Sequence, residues 1–173
     1  MTPRGKGPLA QDFCLDDYLM YNLVRAATTY NEEMAKALKA YSLDTIKWRI
    51  LMLLEDKGPS SVGDLARRSV TKLPTLTRML TRMERDGLIF RRALAADRRI
   101  IKIHITDNAQ QTLDMVRAIG QSVYEKAVEG ISEEQICALV GMLHLMRDNL
   151  NRSPYDPLLS DARKSMDVTT HDT

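Results

Sequence analysis

The chain has 173 residues, 44% of them hydrophobic, and a net charge of +2, which is enough apolar material for one buried core. Its longest aliphatic run, Ile50-Leu51-Met52-Leu53-Leu54, is far too short for a membrane span, and Met1 to Pro8 holds no apolar stretch of signal-peptide kind, so a cytoplasmic protein without a membrane partner is expected. Cys14 and Cys137 stand alone, in no CxxC arrangement, which excludes a disulfide framework and a zinc ribbon.

Residues 1–14 carry Pro and Gly without periodicity and read as a flexible N-terminal arm. From Asp16 to Ala40 the positions Leu19, Leu23, Ala26, Ala27, Tyr30, Met34 and Leu38 recur at spacings of three and four, the stripe of a long amphipathic helix. Ser42 or Asp44 offers a cap for a second helix through Leu54, with Ile46, Ile50, Leu53 and Leu54 on one side; Lys57-Gly58-Pro59 stops it. Ser61-Val62-Gly63-Asp64 has the form of a capping box and opens a short third helix ending near Ser69.

Pro74 suits the first turn of a fourth helix, where a missing N–H costs nothing, and Gly87 ends that helix after Arg85-Asp86. Leu88 to Arg92 and Ile100 to Ile105 then read as a two-stranded hairpin; in the second run Ile101, Ile103 and Ile105 alternate with Lys102 and His104, so one side packs. Thr106 or Asp107 caps a fifth helix carrying Leu113, Val116, Ile119, Val123 and Ala127, ended by Gly130. Ser132-Glu133-Glu134 opens a sixth, with Ile136, Leu139, Val140, Leu143, Met146 and Leu150 as its stripe, and residues 153–173 form a polar tail.

The small net charge conceals a strong asymmetry. Arg67 to Lys102 holds eleven basic residues against Glu84, Asp86 and Asp97, about +8, so the rest of the chain sums to −6. Such a segment suits a polyanion, of which nucleic-acid phosphate is the commonest. The element order around it, helix, short helix, turn, helix, hairpin, is that of a winged helix-turn-helix, and the fold class is mainly α with a small β-hairpin wing. On the fourth helix Leu76, Leu80 and Met83, helped by Leu73, fall on one side, while Pro74, Thr75, Arg78 and Arg82 fall on the other. Thr hydroxyls can meet phosphates or bases, and Arg can bind guanine through two hydrogen bonds in a major groove. The loop ending in Asp97-Arg98-Arg99 can carry its arginines into an adjacent minor groove, with Asp97 orienting a neighbouring Arg through a charge-assisted hydrogen bond.

Asp97-x-Arg99, with Ile105-Thr106 six residues after that Arg, resembles the "DxR…LT" wing signature of the MarR family of bacterial transcription regulators. Thr75-Leu76-Thr77-Arg78, Leu80 and Met83-Glu84-Arg85-Asp86-Gly87-Leu88-Ile89, followed by Arg91-Arg92, resemble its recognition helix and the exit into its wing. The likeness extends over about residues 15 to 152. It implies a homodimer in which residues 15–41 and 107–152 form a helical dimerisation region and residues 42–106 a winged helix-turn-helix lobe. Two-fold symmetry then calls for double-stranded DNA with a palindromic operator, its half-sites ~10 base pairs apart. DNA contacts are assigned to Pro74, Thr75, Thr77, Arg78, Arg82, Arg98 and Arg99, with Asp97 as the wing's orienting residue.

The resemblance also implies a small-molecule effector that releases DNA. Trp48 and Met52 on the second helix, with Tyr21, Asn22, Arg25 and Tyr30 on the first, would give an aromatic wall and one cation, suited to an aromatic carboxylate or its coenzyme A thioester (an acyl-CoA). Peroxide sensing is not expected, because Met20 occupies the position where some members of the family carry a cysteine. Neither metal nor cofactor is expected: His104, His144 and His171 are scattered, and Cys137 lies seven residues from His144, about 10 Å along a helix. An enzyme is the rival from another class, but no G-x-S-x-G, P-loop, GxGxxG or HExxH is present. A winged-helix protein-interaction module without operator binding is the other; its arginines on the fourth helix and wing would be expected to be lost, and here they are kept.

Overall fold

A 3-10 turn, Leu15–Asp17, leads into helix α1 (Leu19–Lys39) in the computed structural model, which describes residues 7–94, 97 and 99–152. The helix starts at Leu19, the first residue of its apolar stripe and three residues after the expected Asp16, because Asp16 and Asp17 belong to the preceding turn. Asp44, not Ser42, caps α2 (Thr45–Lys57): its carboxylate accepts from the backbone N–H groups of Ile46 and Lys47, at 3.0 and 2.8 Å, whereas Ser42 sits at φ 55° in the connecting turn.

A two-residue strand, β1 (Ser60–Ser61), precedes α3 (Val62–Arg68), and the sheet is three-stranded rather than the expected two-stranded hairpin. Its order is β1-β3-β2, with β2 (Ile89–Ala93) and β1 both antiparallel to β3 (Ile101–Ile105). Ser60 pairs with Ile103, Ile89 with Ile105 and Arg92 with Lys102. The capping box forms in altered shape. Ser61 Oγ accepts from the Asp64 N–H, and the Asp64 carboxylate accepts from the Ser61 hydroxyl rather than from its backbone N–H.

Helix α4 (Leu73–Arg85) carries Pro74 in its first turn and ends at Gly87, whose φ of 71° suits a residue without Cβ. Leu76, Met79, Leu80 and Met83 are its buried side. Leu73, expected to help that side, is 53% exposed at the helix start, and Met79 takes its place. These side chains meet Ile50, Leu51 and Leu54 of α2, Leu65 of α3, Ile89 and Ile103 of the sheet, and Leu113 and Val116 of α5 (Gln110–Val128) in one cluster. Ile103 alone of the β3 isoleucines is fully buried; Ile101 is 46% exposed near the wing's outer end. Lys47 of α2, buried, reaches Asp86 at the end of α4 across 3.5 Å and pins that terminus.

A smaller cluster joins Met34 and Leu38 of α1 to Ile119 of α5. Between the same helices Lys126 donates to Glu33 at 2.6 Å. The hydrogen bonds from Lys126 and Lys36 hold the Glu33 carboxyl at about 2.

The chain divides into two units, one through Ala127 and one from Val128. The second contains α6 (Glu133–Arg152), opened by a reciprocal box in which Gln135 N–H donates to Ser132 Oγ and Ser132 N–H to Gln135 Oε1. Leu139, Val140, Met142, Leu145 and Leu150 of α6 are exposed. No helix among the described residues is long and apolar enough to cross a membrane.

Candidate nucleic-acid interface

The packing of Leu76, Met79, Leu80 and Met83 leaves Pro74, Thr75, Thr77, Arg78 and Arg82 in solvent, so five of the residues expected to contact DNA stand on the exposed surface of one helix. Thr77 Oγ1 donates to the Leu73 carbonyl at 2.9 Å, which leaves its oxygen as an acceptor only. Among the described residues neither Arg78 nor Arg82 is held in an ion pair. Their neighbours differ: Arg67 bonds Asp64 at 2.5 Å, and Arg91 is clamped by Glu84, which also accepts from the Arg91 N–H at 3.2 Å. Part of the basic segment is therefore structural, holding β2 to α4, and part is left free for a counter-anion.

The wing turn is closed by Asp97. Its carboxylate accepts from the backbone N–H of Arg99 at 2.9 Å, and its carbonyl from that of Ile100 at 3.0 Å. Among the described residues Asp97 thus meets Arg99 through its backbone N–H, and Arg99 remains exposed. Arg98 lies outside the described residues. At the wing's base Thr106 Oγ1 donates to the Gly87 carbonyl at 2.6 Å and Thr106 N–H to the Leu88 carbonyl, tying the end of β3 to the exit of α4. Thr106, one of the two residues expected to cap the fifth helix, makes no side-chain cap bond; its hydroxyl serves this tie instead.

The outer side of the sheet carries residues that no sequence motif singles out. There Phe90 and His104 pair across the strands as stacked rings 4.9 Å apart, and Arg92 stands directly opposite Lys102. Two like charges at facing positions repel unless an anion lies near them. The only advance signal was the period of two that puts residues 90 and 92, and 102 and 104, on one side.

The six residues expected to form one effector pocket are spread over three places within a chain. Trp48 and Met52 line a cavity of about 530 Å³ with Val116, Arg117, Gly120 and Gln121 of α5. Trp48 Nε1 donates to the Val116 carbonyl at 3.1 Å, and a Cβ at Gly120 would stand 3.1 Å from the same nitrogen, so the glycine admits the indole against α5. Tyr30 belongs to a second cavity, of about 410 Å³, with Ala26, Glu33, Val123 and Lys126. Burial pushes its phenol up, and the nearby Arg49 partly offsets this. Tyr21, Asn22 and Arg25 cluster at the start of α1, where Arg25 lies 5.3 Å over the Tyr21 ring and Asn22 Nδ2 donates to the Asp16 and Tyr18 carbonyls. About 13 Å of helix rise and about two and a half turns separate Tyr21 from Tyr30, so the two tyrosines lie on opposite sides of α1. The cation beside Trp48 is Arg117, held by Glu55 of α2 and by Asp114.

Residues 46–101 match the model of the MarR family. The chain is 29% identical over 154 residues to the HTH-type transcriptional repressor IacR of Pseudomonas putida, covering 86% of this chain and 92% of that protein. It is 28% identical over 129 residues to the homoprotocatechuate degradative operon repressor of Escherichia coli, covering 75% and 87%. Its fold matches the crystal structure of a MarR family transcriptional regulator from Silicibacter pomeroyi with a TM-score of 0.74 at 24% identity, covering 83% of this chain and 97% of that one.

Proposed function

The chain is a MarR-family winged-helix protein, and from that premise we propose that it is a dimeric, sequence-specific DNA-binding repressor released by a small aromatic acid or its coenzyme A thioester. One observation carries the DNA reading: α4 presents Thr75, Thr77, Arg78 and Arg82 to solvent, with Arg78 and Arg82 unpaired among the described residues. Helix α4 enters a major groove, its Arg side chains reading base edges, the Thr75 hydroxyl meeting a phosphate or a base, and Thr77 accepting from a base donor. Arg99, and Arg98 beside it, reach the adjacent minor groove. The apolar side chains left exposed on α6 support a second copy of the chain as their cover, with residues 15–41 and 107–152 as the dimerisation region and a palindromic operator as the consequence.

Fluorescence anisotropy with duplex DNA from immediately upstream of the gene, beside a scrambled duplex, tests this reading. Preference for the upstream duplex that persists at physiological salt is the expected result; equal binding that vanishes as salt rises would leave only non-specific attraction to that DNA. Arg99→Ala is expected to weaken operator binding and to relax the preference for A·T at the flanks of the site. Unchanged flank preference in a binding-site selection would remove Arg99 from the minor groove.

The effector reading rests on the Trp48 cavity, whose volume lies within the ordinary range for small-ligand sites and whose wall joins an indole and a methionine to the Arg117 guanidinium. Trp48→Ala is expected to abolish or weaken release of DNA by aromatic acids while leaving operator affinity in place. A full response in that variant, measured as ligand concentration for half release, would place the effector elsewhere.

A further inference from the structure

The turn between α3 and α4 sets where the DNA-facing helix begins, and its conformation is costly. Val70 adopts φ 53°, a left-handed conformation that a β-branched residue avoids, and it does so in solvent, 87% exposed, where no side-chain packing compensates. The preceding Ser69 is fully buried, and its hydroxyl has no hydrogen-bond partner among the described residues. Backbone held in this way persists only when its surroundings over-determine it.

Four of the bonds that do so are local: Ser69 N–H to the Leu65 carbonyl at 2.8 Å, Val70 N–H to that of Arg67 at 3.4 Å, Thr71 N–H to that of Ala66 at 3.0 Å, and Thr71 Oγ1 to that of Ser69 at 3.1 Å. A fifth comes from outside. Arg49 of α2 donates Nη1 to the Ser69 carbonyl at 3.3 Å, and among the described residues it is the hydrogen bond that enters this turn from another part of the fold. The same guanidinium donates Nη2 to Asn31 Oδ1 of α1. Asn31 is itself fixed, because its Nδ2 donates to the Ala27 carbonyl one turn back at 2.8 Å. A planar, always-charged fork is suited to bridging two acceptors on separate elements; an ammonium on a flexible stem is not.

We propose that Arg49 is a positioning residue for DNA recognition, which fastens the strained Ser69–Val70 turn to Asn31 of α1 and so lets the state of α1 set how α4 is presented. The proposal rests on the DNA-binding reading above. The Arg49 charge also acts on the Tyr30 phenol, and Tyr30 lines the α1–α5 cavity, so a change in that wall has a route to the turn.

The test uses Arg49→Lys, Asn31→Leu, the double variant, and Arg49→Lys with Val70→Gly in the full chain. Amide hydrogen exchange of the DNA-free protein reads the turn through the Thr71 N–H, and anisotropy reads upstream against scrambled duplex. Arg49→Lys and Asn31→Leu are each expected to speed exchange across residues 69–72 about tenfold, the size expected for losing a charge-assisted hydrogen bond, with exchange in α5 unchanged. Preference for the upstream duplex should fall by a similar factor while scrambled binding holds. The double variant should be no worse than Arg49→Lys, since one bridge is broken in both. Val70→Gly should restore the preference, because glycine adopts the turn without the bridge. Unchanged exchange at the turn, additive losses in the double variant, or full discrimination by Arg49→Lys would each overturn the proposal. A wild-type protein that does not discriminate between duplexes would sink the DNA reading instead, and the exchange result would still decide whether Arg49 holds the turn.

Discussion

Leu80→Ala is expected to destabilise the winged-helix lobe by ~2–5 kcal/mol, the range for truncating a fully buried leucine. Leu80 has no exposed surface and sits in the cluster that joins α4 to α2, α3, the sheet and α5. Domains of this size have only about 5–15 kcal/mol in hand, so the loss takes a large part of the whole. Urea unfolding followed by circular dichroism reads it as a lower midpoint at unchanged slope. The same change should also affect DNA binding, because Arg78 and Arg82 flank Leu80 on a helix that this buried side packs against the rest of the lobe. That effect should follow the folded fraction: at low urea and moderate temperature the folded population should still choose its operator. A midpoint shift that, multiplied by the slope, amounts to less than about 0.5 kcal/mol, the size typical of surface substitutions, would contradict the burial assigned to this position.

Most of the lobe was legible because its signals are local and repeated. The cap at Asp44, the proline in the first turn of α4 and the glycine at residue 87 each need only their own backbone geometry to act. The stripe on α4 was read correctly at Leu76, Leu80 and Met83 but wrongly at its start, since Leu73 continues the spacing one turn beyond the point where the core ends. Strand β1 was illegible: two residues carry no period, and they pair only because β3 lies beside them. Asp97 and Thr106 were recognised as members of a pattern, yet their partners, a backbone N–H two residues on and a carbonyl nineteen residues back, depend on chain closure that spacing does not encode. The effector residues show the same limit more strongly. Trp48 and Met52 are one turn apart on one helix and do share a cavity, whereas its other wall comes from α5, more than sixty residues away in sequence. Arg49 carried no sequence signal at all, since an arginine amid an amphipathic helix is ordinary until both of its acceptors are seen.

Arg78→Ala should cost ~1–3 kcal/mol of operator affinity if its guanidinium makes a two-point bond to a guanine, a loss of roughly 5- to 150-fold. The structure gives two reasons to choose this residue. It is exposed on the side of α4 opposite Leu80, and no carboxylate among the described residues occupies it, so removing it breaks no bond within the lobe. Arg91 is the contrasting case. Its clamp to Glu84 joins β2 to α4, and Arg91→Ala would lower affinity through misplacement of the wing as much as through lost charge. For Arg78→Ala, then, unfolding should be nearly unchanged while binding weakens. The form of the weakening separates two roles. A base contact predicts a loss concentrated on the native operator and a relaxed choice at one position of each half-site. A phosphate contact predicts equal losses on operator and scrambled duplex, with the slope of log affinity against log salt shallower by about one. Since the two arms of a palindrome are read by the two copies of a dimer, the relaxed position should appear twice, related by the two-fold axis. A single relaxed position would mean that α4 reads only one half-site, and the dimeric reading would have to give way.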